Sequence, residues 1–202
     1  AIGGAPNYTA SAASSNLSVA TLQAALASNN VVVDTTSAFA SAGNIAVNNA
    51  VTWASANSLQ LRAHNNITVA APITASGSGA LSLIANQDGA GGGDATLNAA
   101  LIAHGGGIAI SGANVGGNVN GTLTTTGLAN QDAGAVTIAA TGAVNLVGAI
   151  VASGGAAGAG NAGRGGGAVG ITARSATPGA QGRVARTELS ESLQSGNQDQ
   201  LR

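Results

Sequence analysis

Residues 66–86 read NITVAAPITASGSGALSLIAN, and the order of the few large side chains in this stretch decides the fold. Writing Φ for a larger apolar residue, Ile67, Val69 and Ile73 make Φ-x-Φ-x-x-x-Φ, and Leu81 and Leu83 follow as Φ-x-Φ. Both patterns recur. The first is present at Ile45, Val47 and Val51, at Ala95, Leu97 and Leu101, at Val119 and Leu123, and at Val144, Leu146 and Ile150. Its last members are 22, 28, 22 and 27 residues apart. The second is present at Leu59/Leu61, Leu81/Leu83, Ile108/Ile110, Val136/Ile138 and Val169/Ile171, in steps of 22, 27, 28 and 33. The two series interleave from residue 44 to residue 172, and repeats of 20 to 30 residues mark a solenoid.

Alternation at period two makes each unit a strand with one face inward. Strands one full turn apart then stack in parallel at about 4.8 Å, so that Leu59 lies under Leu81 and Leu81 under Ile108. The expected fold is all-β, a parallel β-solenoid of about five coils, with a flat antiparallel sandwich as the alternative. The uneven steps come from glycine-rich insertions, NQDGAGGGD (86–94), NQDAG (130–134) and GGAAGAGNAGRGGG (154–167), which are expected to leave the coil as loops.

The solenoid is expected to occupy residues 31–173. Before it, LSVATLQAALASNN (17–30) reads as a short capping helix, with Ser18 as N-cap and Val19, Leu22 and Leu26 on one face. Residues 1–16 read as an extended segment. The polar tail, 174–202, carries RVARTELSESLQSGNQDQLR, in which Ala185, Leu189 and Leu193 at i, i+4, i+8 suggest a weak amphipathic helix that closes the far end or stays solvated.

Composition agrees with a narrow, repetitive core. The 202 residues include 32 glycines, six arginines without a lysine, and only Tyr8, Phe39 and Trp53 as aromatics. A net charge of −1 and 6% charged residues provide no footprint for nucleic acid. They also leave little repulsion between copies, which favours self-association. No apolar run is long enough to span a membrane. With no cysteine, disulfides and thiolate chemistry are excluded, and a chain that opens on AIGG and contains no methionine is expected to derive from a longer one.

No constellation for chemistry stands out, so the chain is read as non-enzymatic, with no catalytic, cofactor or metal residues assigned. GAGNAG (158–163) satisfies G-x-G-x-x-G, but the strand-like GAVGITAR follows where a phosphate-binding helix should begin. GAGGGDATL (89–97) is an incomplete calcium nonapeptide without a tandem copy. Asp88, Asp94 and Asp132 would converge on a cation only if loops 86–94 and 130–134 lay on one side. His64 and His104 follow different strand types and should not share a metal. TLTTT (122–126) would suit an ice-binding face only if threonines repeated on every coil, and Asn, Ala and Val are expected at the matching positions. Asn66, at a strand start, is suited to a ladder of stacked asparagines.

NIAVNNAVTWASANSLQLRAHNNITVAAPITASGSGALSLIAN (44–86) and the preceding LSVATLQAALASNNVVVDTT resemble the secreted bacterial exoproteins of the filamentous haemagglutinin type, over about residues 17–172. The resemblance implies a right-handed parallel β-helix, a secreted, extracellular or cell-surface location, and a role as adhesin or fibre. The first expectation for function is a structural protomer that assembles end to end into a surface filament or matrix fibre, the segment 1–16 and the solenoid ends making the contacts. The second is an adhesin segment that binds host or matrix glycans or proteins, and a distant third is a polysaccharide-cleaving β-helix enzyme.

Overall fold

The structure, a computed structural model, describes residues 5–12, 14–35, 43–89, 92–158, 163–173 and 184–185. Its strands are short because each spans only one side of a coil. The chain begins with β1 (Asn7–Thr9), helix α1 (Val19–Ser28) and β2 (Val31–Asp34), and then winds through five coils of three strands each. These are β3 (Ile45–Val47), β4 (Val51–Trp53) and β5 (Leu59–Arg62); β6 (Ile67–Val69), β7 (Ile73–Ala75) and β8 (Leu81–Ile84); β9 (Ala95–Leu97), β10 (Leu101–Ala103) and β11 (Ile108–Gly112). The series continues with β12 (Val115–Gly117), β13 (Leu123–Thr124) and β14 (Val136–Ala140), then β15 (Val144–Leu146), β16 (Ile150–Val151) and β17 (Val169–Thr172), and β18 (Val184–Ala185) starts a further turn.

All pairing is parallel and builds three sheets. Sheet one runs β1-β2-β5-β8-β11-β14-β17, sheet two β4-β7-β10-β13-β16-β18, and sheet three β3-β6-β9-β12-β15. The parallel β-solenoid expected from the repeat is the fold observed. The register matches the second pattern residue for residue: Leu61, Leu83, Ile110, Ile138 and Ile171 form one column of sheet one. Inward positions of the middle coils are almost completely buried, as at Ile67, Ile73, Leu97, Leu101 and Ile138. Burying a Leu or Ile side chain contributes about 1.5–3 kcal/mol, so the columns supply most of the drive to fold.

One member of the first pattern is misplaced. Val119 was expected in the column of Leu97 and Leu146, but Gly117 pairs with both and Val115 with Ala95 and Val144. Val119 sits instead on the corner formed by residues 118–122, 66% exposed.

The N-terminal end is closed by an atypical coil. Ser18 caps α1 through its Oγ, which accepts from Thr21 N at 3.1 Å, and Leu22, Ala25 and Leu26 are buried against the first coil. The helix packs on β4, the outermost strand of sheet two, where Gln23 Nε2 donates to the Thr52 carbonyl at 2.9 Å. Ser55 Oγ and Asn57 Nδ2 donate to the Leu26 carbonyl, tying the helix C-terminus to the corner beneath it. The helix expected as a lid is therefore seated as one.

The extended segment 1–16 was expected on a neighbouring subunit. Its strand β1 instead pairs with β2 of its own chain, Tyr8 opposite Val33, and Tyr8 is 4% exposed. The bare edge of β2 is the nearest unpaired ladder, and the short connection through α1 puts it within reach. At the other end, Ala185 was expected on a helix but belongs to β18, which pairs with β16. Leu189, Leu193 and Phe39 lie outside the described residues.

Candidate functional site

Three strands per coil make three corners, and the corners decide which polar residues meet. Loop 86–94 joins sheet one to sheet three, because it follows β8 and precedes β9. Loop 130–134 joins sheet two to sheet one, between β13 and β14. The convergence of Asp88, Asp94 and Asp132 is thus not observed: Asp132 is on a different corner from the other two. His64 and His104 are separated in the same way, His64 following β5 and His104 following β10. Among the described residues, no group of three or more His, Cys, Asp or Glu side chains is placed to hold a metal ion.

Asp94 and Asp132 serve the backbone instead. At the corner between sheets one and three, Asn44 Oδ1 accepts from Asn66 N at 3.0 Å and Asn66 Oδ1 from Asp94 N at 2.8 Å. Asp94 Oδ1 accepts from Asn114 N at 3.0 Å and from Asn114 Nδ2 at 2.9 Å, and Asn114 Oδ1 accepts from Ala143 N at 2.9 Å. The asparagine ladder read at Asn66 therefore spans the five coils and ends on Ala143, which has no acceptor to pass on. Asp132 Oδ1 accepts from Gly165 N at 2.8 Å, and Asn130 Oδ1 from Gly158 N at 3.1 Å. The glycine-rich insertion is thus pinned to the loop of the preceding coil.

Charge pairs link neighbouring coils nearby. Arg62 Nε lies 3.8 Å from Asp34 Oδ2 on sheet one, and His64 Nε2 lies 3.1 Å from Asp88 Oδ2 on the adjoining corner. Both pairs are open to solvent and each contributes under about 1 kcal/mol.

A glycine column is the feature that sequence reasoning missed. Gly79, Gly106, Gly134 and Gly167 each stand two residues before a sheet-one strand, one in each of the last four coils. A Cβ on Gly106 would lie 2.2 Å from the Gly79 carbonyl oxygen, and one on Gly134 would lie 2.0 Å from that of Gly106. Backbone stacks directly on backbone here, and only glycine fits. The signal was present as a glycine at a constant offset from four of the five Φ-x-Φ units, Asn57 standing there in the first, but it was masked by the glycines of the insertions.

Two surfaces remain as candidates for recognition. The first is a cavity of about 530 Å³ at the N-terminal end, between residues 10–17 and the free edge of β3, with Leu17, Leu22, Ile45, Val47 and Leu61 among its walls. The second is the flank made by sheets three and two and the corner that joins them. Residues 45–54, 67–76, 95–104, 115–126 and 144–153 include no Asp, Glu, Lys or Arg, and His104 is their one histidine. The charged side chains on the described residues all belong to sheet one or to its two corners.

On sheet two the outward position of successive coils is Thr52, Thr74, Ile102, Thr124 and Val151, in register. The threonine array is broken, as expected for the TLTTT stretch, but in the Thr124 column the matching residues are Thr52, Thr74, Ile102 and Val151 rather than Asn, Ala and Val, so every member is β-branched. Val119 and Val147, the latter 50% exposed, project from the adjoining corner.

No family model, curated protein or solved structure matches the chain.

Proposed function

We propose that the protein is a non-catalytic structural rod, a secreted β-solenoid protomer that stacks end to end into an extracellular filament or matrix fibre. The observation that carries this reading is the asymmetry of sheet one. Its inward column runs Tyr8, Val33, Leu61, Leu83, Ile110, Ile138, Ile171. One end is closed by Tyr8, while Ile171, at the other, is 47% exposed and, among the described residues, β17 pairs only with β14. A second copy placed with β1 on β17 continues the same parallel sheet and sets Tyr8 over Ile171. Such a contact is heterologous, so it propagates rather than closing on itself. The scattered acids, Asp94 and Asp132 engaged with backbone N–H groups and Asp34 and Asp88 beside Arg62 and His64, support a scaffold over an enzyme. The sequence resemblance to haemagglutinin-type exoproteins supports a cell-surface or extracellular setting.

Negative-stain microscopy and sedimentation of the purified chain test this. Filaments are expected, and Ile171→Arg is expected to abolish them while circular dichroism remains that of the parent. A chain that stays monomeric at high concentration and is retained on a glycan or matrix-protein array points to the adhesin segment instead.

A further inference from the structure

The outward face of sheet two has a regular relief. Thr52, Thr74, Ile102, Thr124 and Val151 form a continuous ridge of β-branched side chains, one per coil at about 4.8 Å. Beside it runs a shallower row, Ala50, Pro72, Ala100, Thr122 and Ala149, alanine at three of the five coils and nowhere charged. The outward rows of the other sheets are less even. Sheet three presents Ala46, Thr68, Thr96, Gly116 and Asn145, and sheet one mixes Gln60 and Arg62 with Ile84, serines, threonines, alanines and a glycine.

We propose that this face packs against the same face of a second copy, the β-branched ridge of each seated in the alanine row of the other. Three features select a second copy as the occupant. The relief is self-complementary, as an isologous contact requires. β-branched side chains on a pleated surface interdigitate when two sheets pack at about 10 Å. The absence of charge removes the repulsion that would oppose like surfaces meeting.

The size of the face sets the strength. Five coils at about 4.8 Å by five residues at about 3.3 Å give roughly 24 by 16 Å, or about 400 Å² per copy. The two copies together bury about 800 Å², below the roughly 1,200 Å² of standard stable complexes, so the pairing is weak and concentration-dependent. Val119 and Val147 extend the apolar rim on the adjoining corner. This contact is lateral and independent of the axial stacking proposed above: rods joined end to end would accumulate one such patch per protomer and so bundle side by side.

The chain has no cysteine, which makes a cysteine cross-linking scan clean. Thr74→Cys, Ile102→Cys, Thr124→Cys and, on sheet one, Thr137→Cys would each be treated in the full chain with a bis-maleimide that spans about 10 Å, the separation of packed sheets, with sedimentation of the parent from about 10 μM to about 1 mM, the range in which a small interface operates. Covalent dimers are expected from the sheet-two positions, with Ile102 at the centre, and not from Thr137. Thr74→Arg with Thr124→Arg is expected to raise the dimer Kd at least about tenfold, because each copy would bury unpaired charge, with unchanged circular dichroism. A parent that stays monomeric throughout, cross-linking no stronger on sheet two than at Thr137, or a double variant that dimerises as well as the parent overturns the proposal. So does a monomeric parent whose sheet-two face instead binds ice or a crystalline polysaccharide. Filaments that persist in the Arg variants but no longer bundle separate this contact from the axial one.

Discussion

Ile138 and Ile171 are the same residue in the same column of sheet one, one coil apart, yet the first is completely buried and the second is 47% exposed. Nothing in the side chains or their immediate sequence separates them. The difference is that, among the described residues, Ile138 has a strand on both sides and Ile171 on one. In a solenoid, burial belongs to a position in the stack, so the same substitution has opposite weight in the middle and at an end.

Breaking that comparison is the first test. Ile138→Asp places an unpaired charge between two coils and is expected to cost several kcal/mol, enough to prevent folding of the central stack. Ile171→Asp is expected to cost under about 1 kcal/mol, since the carboxylate reaches water; urea melts of the two variants measure the gap. Equal losses would mean that Ile171 is covered in solution.

The closed end supplies the second test. Leu26, wholly buried beneath the N-terminal lid, leaves a cavity when cut to alanine, with an expected loss of about 2–5 kcal/mol in the same melts. If the lid contributes little, the loss falls below that range and the first coil frays without the rest. A third, smaller effect separates the corner ladder from the core. Asn66→Ala strands the Asp94 N–H, with an expected loss of about 1–2 kcal/mol and faster hydrogen exchange at that amide. Smallest is His64→Ala, where loss of an exposed pair with Asp88 is expected to change stability by under about 1 kcal/mol.

The inward columns were legible because alternation and a long repeat report the same thing independently. Val119 was misread where that redundancy failed: β12 presents Val115 followed by Gly116 and Gly117, so the strand has almost no hydrophobic signal, and the nearest valine, already on the corner, took its place. The separation of Asp132 from Asp88 and Asp94 was legible in principle. Loop 86–94 follows the second pattern and loop 130–134 follows the first, which assigns them to different corners once each coil is known to have three sides. The position of β1 was not legible. Asn7–Thr9 has no periodicity, and its place is set by the unpaired edge of β2, a property of the assembled stack.

The hydrogen bonds between coils run along the length of the rod, while the covalent chain winds around it. A pull applied to the two ends is therefore borne by three ladders acting together, and the peptide backbone is loaded only after a coil has let go. Failure would begin at the turn that carries β17, which among the described residues has one partner strand, and would advance one coil at a time. Each released coil holds 22 to 33 residues, as the sheet-one steps show. At about 3.4 Å per residue, that converts about 5 Å of rod into roughly 75–110 Å of slack, so the molecule would behave under tension as a series of breakable links that lengthen without snapping.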